Sequence, residues 1–339
     1  MQVTLDPALI ALHEAKDQAQ LRDHLEVATD WSTAIRQERI SVLVADELVQ
    51  ELSNLGLFPL RHALKALFEK HHLNETSGHD AATLLLGMLE RSKHFEDVVL
   101  VEIVATNCEV ESSLGASCLC HPAIDSATSH AWTMSAAIGS RTGATHVSGM
   151  VSPRPKASSE LRGSYQFDSV IFADGFGMDA AAGEYALPLV SSTKDLLTRT
   201  DPLLIARDAA AESGDWGWAV AAASIQYLGQ EINPEAVRIH RQWKVDVVEP
   251  SIMNNDGRLR SALRGAAEIV ANAAQQKTHE LRESAGPSAQ QTSGQWAAWR
   301  HSLGGGYRIH YWRGTGGATE LCTIDSHDNF LIPSPSSDS

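Results

Sequence analysis

Apolar positions recur at helical spacing through the first 95 residues of the chain. Leu9, Leu12, Ala15 and Ala19 follow that spacing, and Leu60, Leu64, Leu67 and Phe68 repeat it after Pro59, a residue suited to a helix start. Ser77 and Asp80 offer oxygen caps to a third helix that carries Leu84, Leu85, Met88 and Leu89 on one side. Between these segments the run Ile40-Ser41-Val42-Leu43-Val44 predicts a short buried strand, with Asp46 placed to open a helix over 47–55. That is a strand-then-helix step. The continuous apolar run Val98-Val99-Leu100-Val101-Glu102-Ile103-Val104 predicts a strand buried on both faces.

Past the centre of the N-terminal half the pattern loosens. Residues 149–163, with Pro153, Pro155, Ser158 and Ser159, predict a long loop or linker. Residues 169–173 and 185–190 then read as strands, 209–228 as a helix and 237–248 as a strand pair or a strand with an irregular end. The turn cluster Asn254-Asn255-Asp256-Gly257 starts a long helix over 258–283. Two alternating strands close the pattern. Tyr307, Ile309, Tyr311 and Arg313 share one face, while Arg308, His310 and Trp312 share the other. Gly314, Gly316 and Gly317 permit a reversal, and 321–326 forms the return strand. The serine-rich end, 334–339, has little apolar surface to bury and predicts a disordered, dispensable tail. These elements predict an α+β protein: a mixed α/β N-terminal domain (1–150), a middle α/β segment (151–254) and a C-terminal helix packed on an antiparallel hairpin or small sheet (255–333).

Composition narrows the classes. With 43% hydrophobic and 20% charged residues, wholesale disorder is excluded. No apolar run reaches the roughly 18–20 residues that span a bilayer, and no basic stretch followed by an apolar core marks a leader, so we expect a cytoplasmic protein without membrane partners. Four cysteines, Cys108, Cys118, Cys120 and Cys322, are too few for a disulfide scaffold in 339 residues and fit a reducing compartment. The net charge of −15 excludes a surface that grips phosphate everywhere. The charge is uneven, however: residues 256–333 hold eight Arg and Lys against seven Asp and Glu. The acidic N-terminal region most simply keeps the protein soluble; the sharper reading is that it docks on a basic protein partner or shields the C-terminal surface.

Several tracts invite a chemical reading. Cys108, Cys118, Cys120, His121 and His130 contain zinc donors, but not at the paired Cys-x2-Cys spacing, so we expect neither metal nor cofactor. Asp168, Asp174 and Asp179 surround a glycine-rich turn without the alternation of a calcium loop, and read as a solvated turn. Trp216, Trp218 and Trp243 read as packing residues, and His71-His72 as partners of a helix end. The final hairpin differs, because its Arg308, His310 and Trp312 face collects a guanidinium, an imidazole and an indole. Together these can neutralise phosphate, transfer a proton and stack a base. The competing reading is a packed sheet that is polar only where it meets water.

Leu281-Arg282, Tyr307-Arg308-Ile309-His310-Tyr311 and His327-Asp328 resemble the motif series of the RelE/ParE-type toxin superfamily. Those proteins pair helices with an antiparallel sheet. In the RNA-cleaving members, basic, His and Tyr side chains on the sheet activate a ribose 2′-hydroxyl. The resemblance covers about a quarter of the chain and implies catalytic roles for Arg308, His310, Tyr311 and His327, with Arg300, Arg313 and Trp312 contacting nucleic acid. The expectation is a bacterial conflict or anti-phage defence component whose C-terminal module binds or cleaves nucleic acid. The alternative is a non-catalytic protein-interaction subunit of a larger complex. A small, basic toxin this chain is not: it carries some 250 residues ahead of the module and an acidic balance.

Overall fold

The computed structural model describes residues 2–12, 15–36, 40–45, 48–98, 100–110, 122–140, 147–153, 160–172, 175–211, 216–285 and 287–336. The fold is α+β, and the chain divides into two compact units, Met1–Leu196 and Leu197–Ser339.

The first unit is built on strands β1 (Gln2–Leu5), β2 (Ser41–Val44), β3 (Lys93–His94), β4 (Leu100–Val110), β5 (Val147–Val151), β6 (Glu160–Phe172) and β7 (Gly177–Val190). Their order is β3-β2-β1-β5-β7-β6-β4. From β3 to β7 neighbouring strands run parallel, and β6 and β4 extend the sheet antiparallel. Helices α1 (Pro7–Ile10), α2 (Gln18–Arg36), α3 (Leu48–Asn54), α4 (Arg61–Lys70), α5 (Gly78–Arg91), α6 (Phe95–Val98), α7 (Pro122–Ser140) and α8 (Thr193–Arg199) accompany the sheet. Every residue of β1 is buried, as a central strand of a parallel sheet requires. Trp132 of α7 is fully buried against Phe167 and Leu187, and its indole N–H donates to the Leu161 carbonyl at 3.3 Å. Burying such a side chain contributes about 1.5–3 kcal/mol. Ser77 caps α5 by accepting from the Asp80 amide, as the sequence predicts.

Several boundaries differ from the sequence reading. Leu9 and Leu12 are buried, yet α1 ends at Ile10 and α2 begins only at Gln18. The apolar run near residue 100 forms β4, which lies at the sheet edge and leaves Val104 44% exposed, so it is not buried on both faces. The predicted linker at 149–163 contains the end of β5 and the start of β6, while 154–159 lie outside the described residues. Because β5, β6 and β7 complete the sheet begun by β1, residues 151–190 belong to the first unit rather than to a separate middle segment.

The second unit contains α9 (Pro202–Ala211), α10 (Trp216–Leu228), β8 (Arg238–Ile239), α11 (Arg241–Val247), α12 (Pro250–Met253), α13 (Asp256–Val270), β9 (Thr278–Glu280), β10 (Thr292–Ser293), β11 (Trp296–Gly304), β12 (Tyr307–Gly314) and β13 (Thr319–Ser326). Its sheet runs β10-β11-β12-β13-β8, with β9 also paired to β11. Residues 237–248 are mainly helix α11, not a strand pair: Val247 and Trp243 are buried four apart, a helical repeat. Helix α13 stops at Val270 instead of continuing to 283, because Asn272 and Ala274 adopt left-handed φ of 53° and 49° and turn the chain into β9. Trp216, Trp218 and Trp243 are buried packing residues. Gly265 lets α13 approach the sheet closely, since a Cβ there would collide with Leu303.

Candidate functional site

Cross-strand pairing fixes which side chains share a face. His279, Arg300, His310 and Thr323 lie side by side across β9, β11, β12 and β13, with Arg308 opposite Ser302 and Asp325, and Trp312 opposite Ala298 and Glu320. A register shift after His310 leaves Cys322 as the extra residue of β13. Tyr311 and Arg313 point to the other face, where the Arg313 guanidinium lies 5.7 Å from the Trp299 ring centre and 5.6 Å from that of Tyr311. Tyr311 is fully buried.

After β13 the chain turns at His327 and Asp328 and runs back, extended, over the His310 face. The Leu331 carbonyl accepts from His310 Nδ1 at 3.0 Å and the Pro333 carbonyl from Trp312 Nε1 at 2.8 Å. Ser336 donates through its amide and hydroxyl to Glu320, a carboxylate only 2% exposed. The predicted disordered tail is therefore corrected for residues 334–336, which are held against the sheet. His310 and Trp312 are consequently buried beneath this segment. Burial pulls the His310 pKa below its ordinary value, outweighing the Leu331 carbonyl and Asp325.

What remains open is a groove of about 860 Å³ at the end of this face. Arg282, Arg300 and Arg308 line it, together with His279, His327, Trp299 and Phe330. Arg308 donates to the His327 carbonyl at 2.9 Å, and Arg300 lies 5.9 Å from the Phe330 ring centre, with its Nε unpartnered. Burial, and then the neighbouring Arg300 guanidinium, lower the Arg308 pKa. Acidic groups temper the charge, for Arg282 pairs with Glu280 at 3.3 Å and His327 with Asp328 at 2.9 Å. Thus Arg300, Arg308 and His327 come together, whereas His310, Tyr311, Trp312 and Arg313 do not reach this groove. His279 and Phe330 escape the sequence reading because neither falls within the motif segments 281–282, 307–311 and 327–328.

A buried polar chain on the opposite face was equally hidden in the sequence. Glu268 of α13 accepts from Lys277 Nζ at 2.8 Å and meets His301 Nε2 at 2.9 Å, while His301 Nδ1 meets the Thr278 hydroxyl at 3.0 Å. Burial raises the Glu268 pKa, but Lys277 and His301 more than offset it; burial also lowers that of His301 against the pull of Glu268. An ionised carboxylate only accepts, so the His301 proton that faces it is on Nε2; the burial that lowers the His301 pKa favours the neutral ring, in which Nδ1 accepts a hydrogen bond from the Thr278 hydroxyl. The network bolts α13 to β9 and β11.

In the first unit, Asp6 follows β1 where the strand order reverses between β2 and β5. It is fully buried, accepting from the Ser152 hydroxyl at 2.6 Å and the Ala8 amide at 3.0 Å. A crevice of about 130 Å³ beside it is lined by Pro7, Leu48, Glu51 and His130. Such switch points commonly hold ligands in parallel sheets. Of the zinc-donor tract, Cys108 is half-buried in β4 and His130 is on α7, while Cys118, Cys120 and His121 lie outside the described residues, as does Asp174. Among the described residues no group of three His, Cys, Asp or Glu is placed to hold a metal, and no helix is long and apolar enough to cross a membrane. Comparison of the chain with protein-family models, with curated proteins and with solved structures finds no match.

Proposed function

We propose that the second unit binds single-stranded nucleic acid through the arginine-lined groove, as the recognition module of a bacterial conflict or defence protein. The observation that carries this reading is the open groove that Arg282, Arg300 and Arg308 line together, where the Arg300 guanidinium is near enough to disfavour the charge of Arg308. A phosphate oxygen between them relieves that repulsion, and guanidinium geometry matches phosphate. Phe330 supplies aromatic surface on which a base can stack. Binding is favoured over cleavage because His310 and Tyr311, two of the four side chains expected to do chemistry, are fully buried. A second reading, RNA cleavage by general acid–base chemistry, rests on His279 and His327 both lining the groove.

Salt-titrated fluorescence anisotropy of the full chain with a labelled oligouridine tests the proposal. Arg300→Ala and Arg308→Ala should each weaken binding and flatten its log–log salt dependence by about 0.7 per lost phosphate contact. Phe330→Ala should cost about 1–3 kcal/mol with little change in slope. Wild-type protein that leaves the oligouridine free at low salt would refute the reading. Strand scission lost in His327→Ala would establish the second.

A further inference from the structure

The returning segment 329–336 is bound in a manner unlike a strand added to a sheet. It makes no ladder. Instead, side chains of the sheet reach up to its carbonyls: Gln291 Nε2 to Phe330 at 2.6 Å, His310 Nδ1 to Leu331 at 3.0 Å and Trp312 Nε1 to Pro333 at 2.8 Å. Phe330 and Ile332 pack on Leu281, Trp296, Ala298, Trp312 and Cys322, while the intervening Leu331 is 77% exposed. Pro333 and Pro335 add rigidity without donors that need satisfying. Carbonyls read by an indole N–H, alternate side chains in an apolar trough, and prolines that hold the peptide extended are the means by which domains recognise proline-containing peptides.

We propose that this face is a peptide-binding groove whose resident occupant is the chain's own segment 329–336, and that it serves a partner protein carrying an extended segment of the same chemistry. That segment has a large apolar residue, a second one two positions on, proline directly after it, and a small hydroxyl residue facing Glu320. It carries no acidic group at that last position, because Glu320 is buried there. A partner is favoured over a second copy of this chain. A short tether presents the resident segment at an effective concentration of order millimolar, so an identical segment from another molecule, at micromolar concentration, loses by about a thousandfold. A partner sequence that replaces the exposed Leu331 with a contacting residue gains what the resident segment leaves unused. The inference does not rest on the nucleic-acid reading, although Phe330 belongs to both surfaces.

The test uses a fluorescein-labelled peptide with the sequence of residues 328–336 and two variants: the chain lacking residues 329–339, and the full chain with Phe330→Ala and Ile332→Ala, which keeps the segment but weakens its hold. Both should bind the labelled peptide. Unaltered protein should bind it at least ~100-fold more weakly, because the tethered segment competes. Trp312→Phe in the shortened chain should cost roughly 2- to 12-fold, the worth of one neutral hydrogen bond. If the shortened chain melts cooperatively yet ignores the peptide, or binds it no better than unaltered protein, the proposal is overturned. Should the shortened chain fail to fold, absence of binding by the double variant overturns it equally. A dimer of unaltered protein that dissociates on removal of 329–339 would replace the partner by segment exchange between copies.

Discussion

Ser336→Ala removes one hydroxyl near the end of the chain, and the structure gives that hydroxyl more weight than its position suggests. Glu320 is 2% exposed, and among the described residues the donors to its carboxylate come from Ser336: the amide at 3.0 and 3.2 Å and the hydroxyl at 2.6 Å. A hydrogen bond to a charged, buried acceptor contributes about 1.5–3 kcal/mol, and the carboxylate has no water to turn to. For a unit of this size, a loss of that order lowers the melting temperature by roughly 3–12 °C. Urea unfolding of the full chain, followed through Trp296 and Trp312, reports on the same region. Glu320→Gln keeps the shape and removes the charge, so the double variant should be less destabilised than the sum of the single ones, by about 0.5–3 kcal/mol. If Ser336→Ala unfolds within about 0.5 kcal/mol of the parent, the surface-mutation norm, the terminal anchor is not energetic and the reasoning fails.

Acid should weaken the second unit early. His301 and His310 are held below the usual histidine range by burial, so as pH falls through about 6.5 the unfolded chain takes up protons that the folded chain refuses, and stability declines; above that range their contribution is complete. Glu268, lowered by Lys277 and His301, adds a further loss on passing below the ordinary carboxylate range. Urea midpoints at pH 7.5 and 5.5 that coincide would contradict both histidine assignments, and His301→Gln should flatten the slope. In the first unit, Gly78→Ala should destabilise by about 1–3 kcal/mol, because the added methyl would overlap the Lys65 backbone, which cannot yield as a side-chain tip can. A thermal melt unchanged by this substitution would show that α4 and α5 do not approach so closely.

Local signals were legible where local physics decides. The Ser77 cap, the β2 run and the alternation of β12 all act over a few residues, and each forms close to where the pattern places it. Helix α13 was over-read because Ala, Gln, Lys and Glu favour a helix and nothing in their identity announces the left-handed residues that end it. The apolar run at β4 carried no sign of being at an edge, since edge position depends on partners distant in sequence. For the site, alternation separated Arg308 and His310 from Tyr311 correctly but could not foresee the segment that covers His310. A serine- and proline-rich ending looks dispensable from composition; its value lies in carbonyls and one hydroxyl, groups that every such sequence possesses.

Strand β1, in the interior of the first unit's sheet, imposes an order on how the chain acquires its structure. Residues 2–5 are made well before one of their neighbours, β5, which lies some 145 positions later, and the sheet is still unfinished until β7 has been made at Val190. During synthesis the apolar β1–β2 pair must wait with one edge unsatisfied, a condition that favours slow completion and association with other nascent chains. Stalling or truncation within the first 147 residues therefore leaves a product with a bare interior strand, whereas interruption after Leu196 releases a first unit that already owns every strand of its sheet.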